Sequence, residues 1–137
     1  FRRVLFRSPN SLFVHNHSTR VFVAGEVDVV CSLGYNPSRW LGGVKPADLD
    51  LRLCVTDLAV LDFGGPDHAM RVVSLHPGVT LEQVQAATGF ALHVAGTLPV
   101  TPAPTAEQLE IIRTRLDPRN LRATVFKGNP PGVRQAA

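Results

Sequence analysis

Five histidines are the first candidates for chemistry: His15, His17, His68, His76 and His93. His15 and His17 flank Asn16, so on an extended strand both imidazoles would share one face, a spacing that suits a metal ion. No third ligand follows at a matching spacing, and the reading is therefore no metal site. His76 precedes Pro77-Gly78 at an expected strand-to-helix junction. Such junctions border ligand crevices in α/β folds. A histidine there can equally bond local backbone and fix the turn, and that second role is the favoured one. Asp57 and Asp62 could pair for acid–base work, but their separation puts them on opposite faces of an ideal strand. Each is read as structural. The sequence contains no GxSxG, phosphate loop or GxGxxG. Ser32, Ser74 and Cys54 sit in apolar runs without an obvious base.

The frame that must position these groups is small. The chain has 137 residues, enough for one domain with a modest core. Hydrophobic residues make up 45% and charged residues 18%, a globular rather than a disordered composition. No run of apolar residues is long enough for a membrane-spanning helix. The net charge is +3, and Arg2, Arg3 and Arg7 account for all of it. The remainder lacks a Lys/Arg stripe with interleaved aromatics, so nucleic acid is not an expected partner. The opening FRRVLFRS has no apolar core or small-residue cleavage site of a signal peptide. Residues 1–8 are read as a non-native leader, residues 9–123 as the domain and residues 124–137 as a disordered tail. Cys31 and Cys54 are read as buried thiols. Nothing demands an oxidising compartment, which leaves the cytoplasm as the expected location.

Residues 21–23 and 27–33 are β-branched runs that predict strand pieces. Residues 36–50 read as a loop. Residues 51–55, 58–63 and 70–75 predict three strands, the last two a hairpin over Gly64-Gly65-Pro66-Asp67, where the glycines would supply positive φ. Thr80 with Gln83, and Thr105 with Gln108, form two capping boxes. Gly89 is expected to stop the first helix, residues 90–94 to form a short strand, and Asp117-Pro118 to end the second helix. Three strands without helices between them predict an α/β domain whose mixed sheet has flanking helices.

Several of these stretches together carry a resemblance. They are RVFVAGEVDVVCSLGY (20–35), TDLAVLDF (56–63), MRVVSLHPGVT (70–80), ATGF (87–90) and PTAEQLEIIRTRLDP (104–118). Their order resembles the C-terminal half of beta subunits of the class I coenzyme A transferase family. FGGPDHAMR, with Asn16-His17 and the run from Arg20 to Val23, looks like the branch that hydrolytically opens a steroid ring held as a coenzyme A thioester. The resemblance implies a coenzyme A thioester as substrate, no bound cofactor, and an alpha subunit in an α2β2 assembly. An alternative is a transferase subunit acting on a dicarboxylate of the glutaconate or 3-oxoadipate type. A further alternative is a non-catalytic docking module. The family's catalytic glutamate stands in an E-N-G context, which none of Glu26, Glu82, Glu107 and Glu110 shares. No catalytic residue is therefore assigned. Asn16 and His17, which match the motif of that branch, are read with Arg20 and the junction residue His76 as the rim of a thioester pocket. Arg20 would meet either a phosphate or an acidic residue of the partner subunit, the second being favoured.

Overall fold

The computed structural model describes residues 9–30, 34–40, 42–43, 45–94 and 96–124. The expected leader, residues 31–33 with Cys31 and Ser32, and the tail from residue 125 lie outside the described residues. The chain forms two compact units, residues 1–101 and 102–137.

The first unit holds a five-stranded sheet laid out in chain order. Its strands are β1 (Asn10–Val14), β2 (Leu51–Thr56), β3 (Ala59–Asp62), β4 (Arg71–Leu75) and β5 (His93–Val94). β1 runs parallel to β2 and β4 parallel to β5, while β2–β3 and β3–β4 are antiparallel. The sheet is mixed, as the closely spaced apolar runs require. Alternation along the strands turns Cys54, Ala59, Leu61 and Val72 inward, where they form a core with Val84 of helix α1 (Leu81–Ala86) and with Phe22. Thr56, Ser74 and Thr88 are buried among them.

α1 starts as its sequence predicts. The Thr80 hydroxyl accepts from the Gln83 N–H and the Gln83 side chain accepts from the Thr80 N–H, at 3.3 and 2.8 Å. The second unit begins with α2 (Ala106–Ile111), capped the same way by Thr105 and Gln108 at 3.2 and 2.9 Å. It continues as a wider helical turn over Ile112–Leu116 and stops at Asp117.

Four expectations change. The run at 21–23, and residues 27–30 of the second run, are turns and bends rather than strands. Their β-branched side chains find no neighbouring strand: Val21 and Phe22 donate their N–H groups back to Ser18 O, and Gly25 reverses the chain at φ +80. The strand expected at 90–94 shortens to His93–Val94. Gly89 does not stop α1 through a left-handed conformation, since the helix is already capped by Ala87. Glycine is needed there for proximity: a Cβ would lie 2.5 Å from Ala24 N and 2.7 Å from Phe22 O. In the hairpin the positive φ values fall on Asp67 (51) and His68 (62), not on the two glycines. Gly64 makes room for the Arg71 guanidinium and Gly65 for the Ala69 carbonyl. The left-handed pair is braced from outside, where the Tyr35 ring stacks on His68 at 4.1 Å.

Candidate functional site

The site builds outward from Thr56, the last residue of β2. Its hydroxyl accepts from the N–H groups of Leu58 (3.1 Å) and Ala59 (3.0 Å), closing the tight turn into β3. The same hydroxyl meets Nδ1 of His17 at 3.0 Å. On the far side of this imidazole, Nε2 meets the Thr88 hydroxyl at 2.9 Å. Thr88 gives its own hydrogen to the Val84 carbonyl at 2.8 Å, so His17 Nε2–H is the donor to Thr88. Thr56 has both lone pairs engaged, so its hydrogen is what it can offer Nδ1, in competition with the Ala59 carbonyl at 3.1 Å. The partners thus assign the neutral Nε2–H tautomer. His17 is 5% exposed. Burial pushes its pKa below the ordinary 6.5, against a smaller upward pull from the Asp57 carboxylate.

Asp57 holds the same histidine by its backbone, accepting from His17 N–H at 2.7 Å. Phe22 stacks on the imidazole at 4.1 Å between centroids. Gly89 N–H bonds Phe22 O at 2.7 Å. Segment 15–24 is therefore strapped to the end of β2 at one side and to the end of α1 at the other.

His76 approaches Thr56 from β4. Its Nε2 meets the Thr56 carbonyl at 2.9 Å and, since a carbonyl only accepts, Nε2 is the donor. Nδ1 meets the Thr101 hydroxyl at 3.0 Å, and Thr101 meets Ser74 Oγ at 2.8 Å. A hydrogen-bonded line therefore runs from Ser74 through Thr101, His76, Thr56 and His17 to Thr88. Its members come from five separate stretches of chain, around residues 17, 56, 74–76, 88 and 101, which is why spacing alone could not reveal it.

Of the four rim residues expected from the sequence, the structure gathers His17 and His76 on Thr56 and engages both rings internally. Asn16 and Arg20 flank His17 on the same segment, and both are exposed. Asp57 and Asp62 do not meet as a pair: Asp57 faces the His17 backbone and Asp62 faces Arg71. Among the described residues no group of three or more His, Cys, Asp or Glu could hold a metal ion. No described helix is long and apolar enough to cross a membrane. An open apolar groove of about 480 Å³ lies beside the strapped segment, bordered by Leu12, Val21, Phe22, Val27, Cys54 and Phe90.

No family model matches the chain. Individual proteins do. It is 44% identical to the cholesterol ring-cleaving hydrolase IpdB subunit of Mycobacterium tuberculosis over 117 residues, 82% of this chain and 44% of that relative. The structure of IpdAB from Rhodococcus jostii aligns with a TM-score of 0.70 at 43% identity, covering 85% of this chain and 46% of the other. Glutaconate coenzyme A-transferase from Acidaminococcus fermentans aligns at 0.68 and 27%, covering 84% and 44%. The chain spans less than half the length of the relatives it matches. The mixed sheet described above is the fold these structures share.

Proposed function

We propose that the chain, which shares its fold with IpdAB and glutaconate coenzyme A-transferase, forms part of the beta subunit of a cytoplasmic hydrolase that opens a steroid ring held as a coenzyme A thioester. The observation that carries this reading is the 44% identity to the ring-cleaving subunit across 82% of the chain. The partner is an alpha subunit in an α2β2 enzyme, and that subunit supplies the catalytic carboxylate. Coenzyme A enters as part of the substrate, with no separate cofactor. Residues 9–123 make up the working domain.

Within it, Asn16, His17, Arg20 and His76 form the rim of the thioester pocket. Asn16 and Arg20, both exposed, face the ligand, and the two histidines stand behind them. An Arg guanidinium suits a phosphate of coenzyme A because it donates in a planar fork. The apolar groove beside Val21 and Phe22 gives a steroid-derived acyl body a surface of matching polarity.

The likeness to glutaconate coenzyme A-transferase supports a second reading, transfer of coenzyme A to a dicarboxylate. One experiment separates them. The full-length subunit, purified with its alpha partner, is given a steroid-derived ring ketone thioester, and separately acetyl-CoA with glutaconate. Ring opening with the thioester retained supports the hydrolase. Coenzyme A exchange without ring opening overturns it in favour of the transferase.

A further inference from the structure

We infer that His17 is a positioning residue: by bonding the end of β2 through one ring nitrogen and Thr88, just past the end of α1, through the other, it fixes the segment that displays Asn16 and Arg20. This rests on the reading of Asn16 and Arg20 as the ligand-facing rim. Three observations converge on it. The imidazole bridges Thr56 and Thr88 at 3.0 and 2.9 Å, two residues on different elements of the fold. The backbone on either side is held as well, at His17 N–H by Asp57 and at Phe22 O by Gly89. Yet the side chains between and beside these anchors point outward: Asn16, Thr19 and Arg20 are exposed while His17 and Phe22 are buried.

The His17 ring is buried, so both of its nitrogens need partners, and the partners it takes lie at two different elements of the fold. Phe22 already supplies the apolar plug, stacked on His17 and in contact with Phe90 at 6.5 Å between centroids. What the two hydrogen bonds add is direction: they fix the rotation of the ring and so the path of the backbone from Asn16 to Arg20. Ordering a cation-bearing turn before the ligand arrives removes an entropic cost from binding.

His17→Phe is the informative variant. It keeps the ring stack on Phe22 and removes only the two bonds. Neither threonine is left with an unused hydrogen, because Thr56 retains the Ala59 carbonyl and Thr88 retains the Val84 carbonyl. Thr88→Val is a second variant: it keeps the bond to Thr56 but takes away the acceptor of Nε2–H together with the Thr88 bond to the Val84 carbonyl. The full-length subunit with its alpha partner is used throughout, and coenzyme A is the probe.

Amide exchange across residues 18–24 is expected to quicken in His17→Phe, with β3 and β4 unchanged, and to quicken in Thr88→Val as well. Coenzyme A affinity is expected to fall about tenfold in Arg20→Ala and by a similar factor in His17→Phe. The double variant is expected to bind no more weakly than Arg20→Ala alone, since an unfixed turn has already lost what arginine contributes. Fully additive losses would overturn the inference, as would unchanged exchange at 18–24. If Arg20→Ala binds coenzyme A like the wild type, the rim reading fails on its own. The exchange result then decides whether His17 holds the segment.

Discussion

Arg71 and Asp62 stand opposite each other across the β3–β4 hairpin and bond twice, Nε to Oδ1 at 3.0 Å and Nη2 to Oδ2 at 2.6 Å. Gly64 N–H adds a third bond to the same carboxylate at 3.0 Å. A Cβ on Gly64 would come within 2.5 Å of the guanidinium. Hairpin pairing, ion pair and glycine are therefore one unit.

The two crowded glycines predict different outcomes. Gly64→Ala meets the far end of a flexible side chain, so Arg71 can swing aside at the loss of its pairing with Asp62. Gly89→Ala meets backbone at 2.5 and 2.7 Å. Overpacking of this kind costs about 1–3 kcal/mol, and Gly89→Ala should sit at the upper end with Gly64→Ala well below it. Urea unfolding of both variants measures the order, and equal costs would contradict it.

Acid should destabilise the fold in two steps. His17 has its folded pKa depressed below 6.5 by burial. The unfolded chain then binds the proton more readily, and stability falls as pH drops from about 6.5 towards the folded value. Among the described residues, the carboxylate acting on this ring is Asp57, in the turn after β2, and His76 lies beyond Thr56. Asp62 behaves differently. The hydrogen bonds from Arg71 hold its carboxyl below the ordinary 3.8, so its contribution is present above that value and is lost below it. Chemical unfolding across pH should show the upper step vanish in His17→Phe and the lower step shrink in Asp62→Asn.

Cys54 is 1% exposed, and burial pushes its thiol pKa up. The thiolate is the reactive form, so Cys54 should resist iodoacetamide in the native state at pH 8 and react once the chain is unfolded. Replacing it by serine buries a hydroxyl in an apolar core, which costs about 1–3 kcal/mol. Cys54→Ala should be milder. Thermal melts of the two variants test the order.

The capping box of α1 gives a smaller, local prediction. Thr80→Ala removes the acceptor for Gln83 N–H at an exposed helix start, at a cost of about 1 kcal/mol. Restoring an acceptor with Thr80→Asp should recover most of it.

The parts of the fold that could be read from the sequence are those whose causes are local. Gly64-Gly65-Pro66-Asp67 marks a hairpin within a few residues, and Thr80 with Gln83 marks a helix start within three. β1 carries little local signal because four of its five residues are exposed and its partner, Leu51–Thr56, comes from far along the chain. The runs at 21–23 and 27–30 are the converse case. Their β-branched side chains favour strand, but at Val21 and Phe22 the backbone is taken up by Ser18 and Gly89 instead of a ladder. For the candidate site, the sequence marked His17 and His76 but not what lies between them. Thr56, Thr88 and Thr101 are common residues in unremarkable positions, and only folding brings them to the two imidazoles.

A sheet whose spatial order repeats its chain order has a kinetic consequence. β2, β3 and β4 join through short turns, so this meander closes its contacts at little loop entropy. β1 must close the long excursion between Val14 and Leu51 before it gains a single ladder bond. It should therefore dock late, onto a meander already formed. Pulse-labelled amide exchange during refolding would show β3 protected before β1, and the reverse order would refute this sequence of events. The strapped segment follows β1 directly, so His17 would reach Thr56 and Thr88 only in that final stage. The segment proposed as the pocket rim would thus be the last part of this unit to mature.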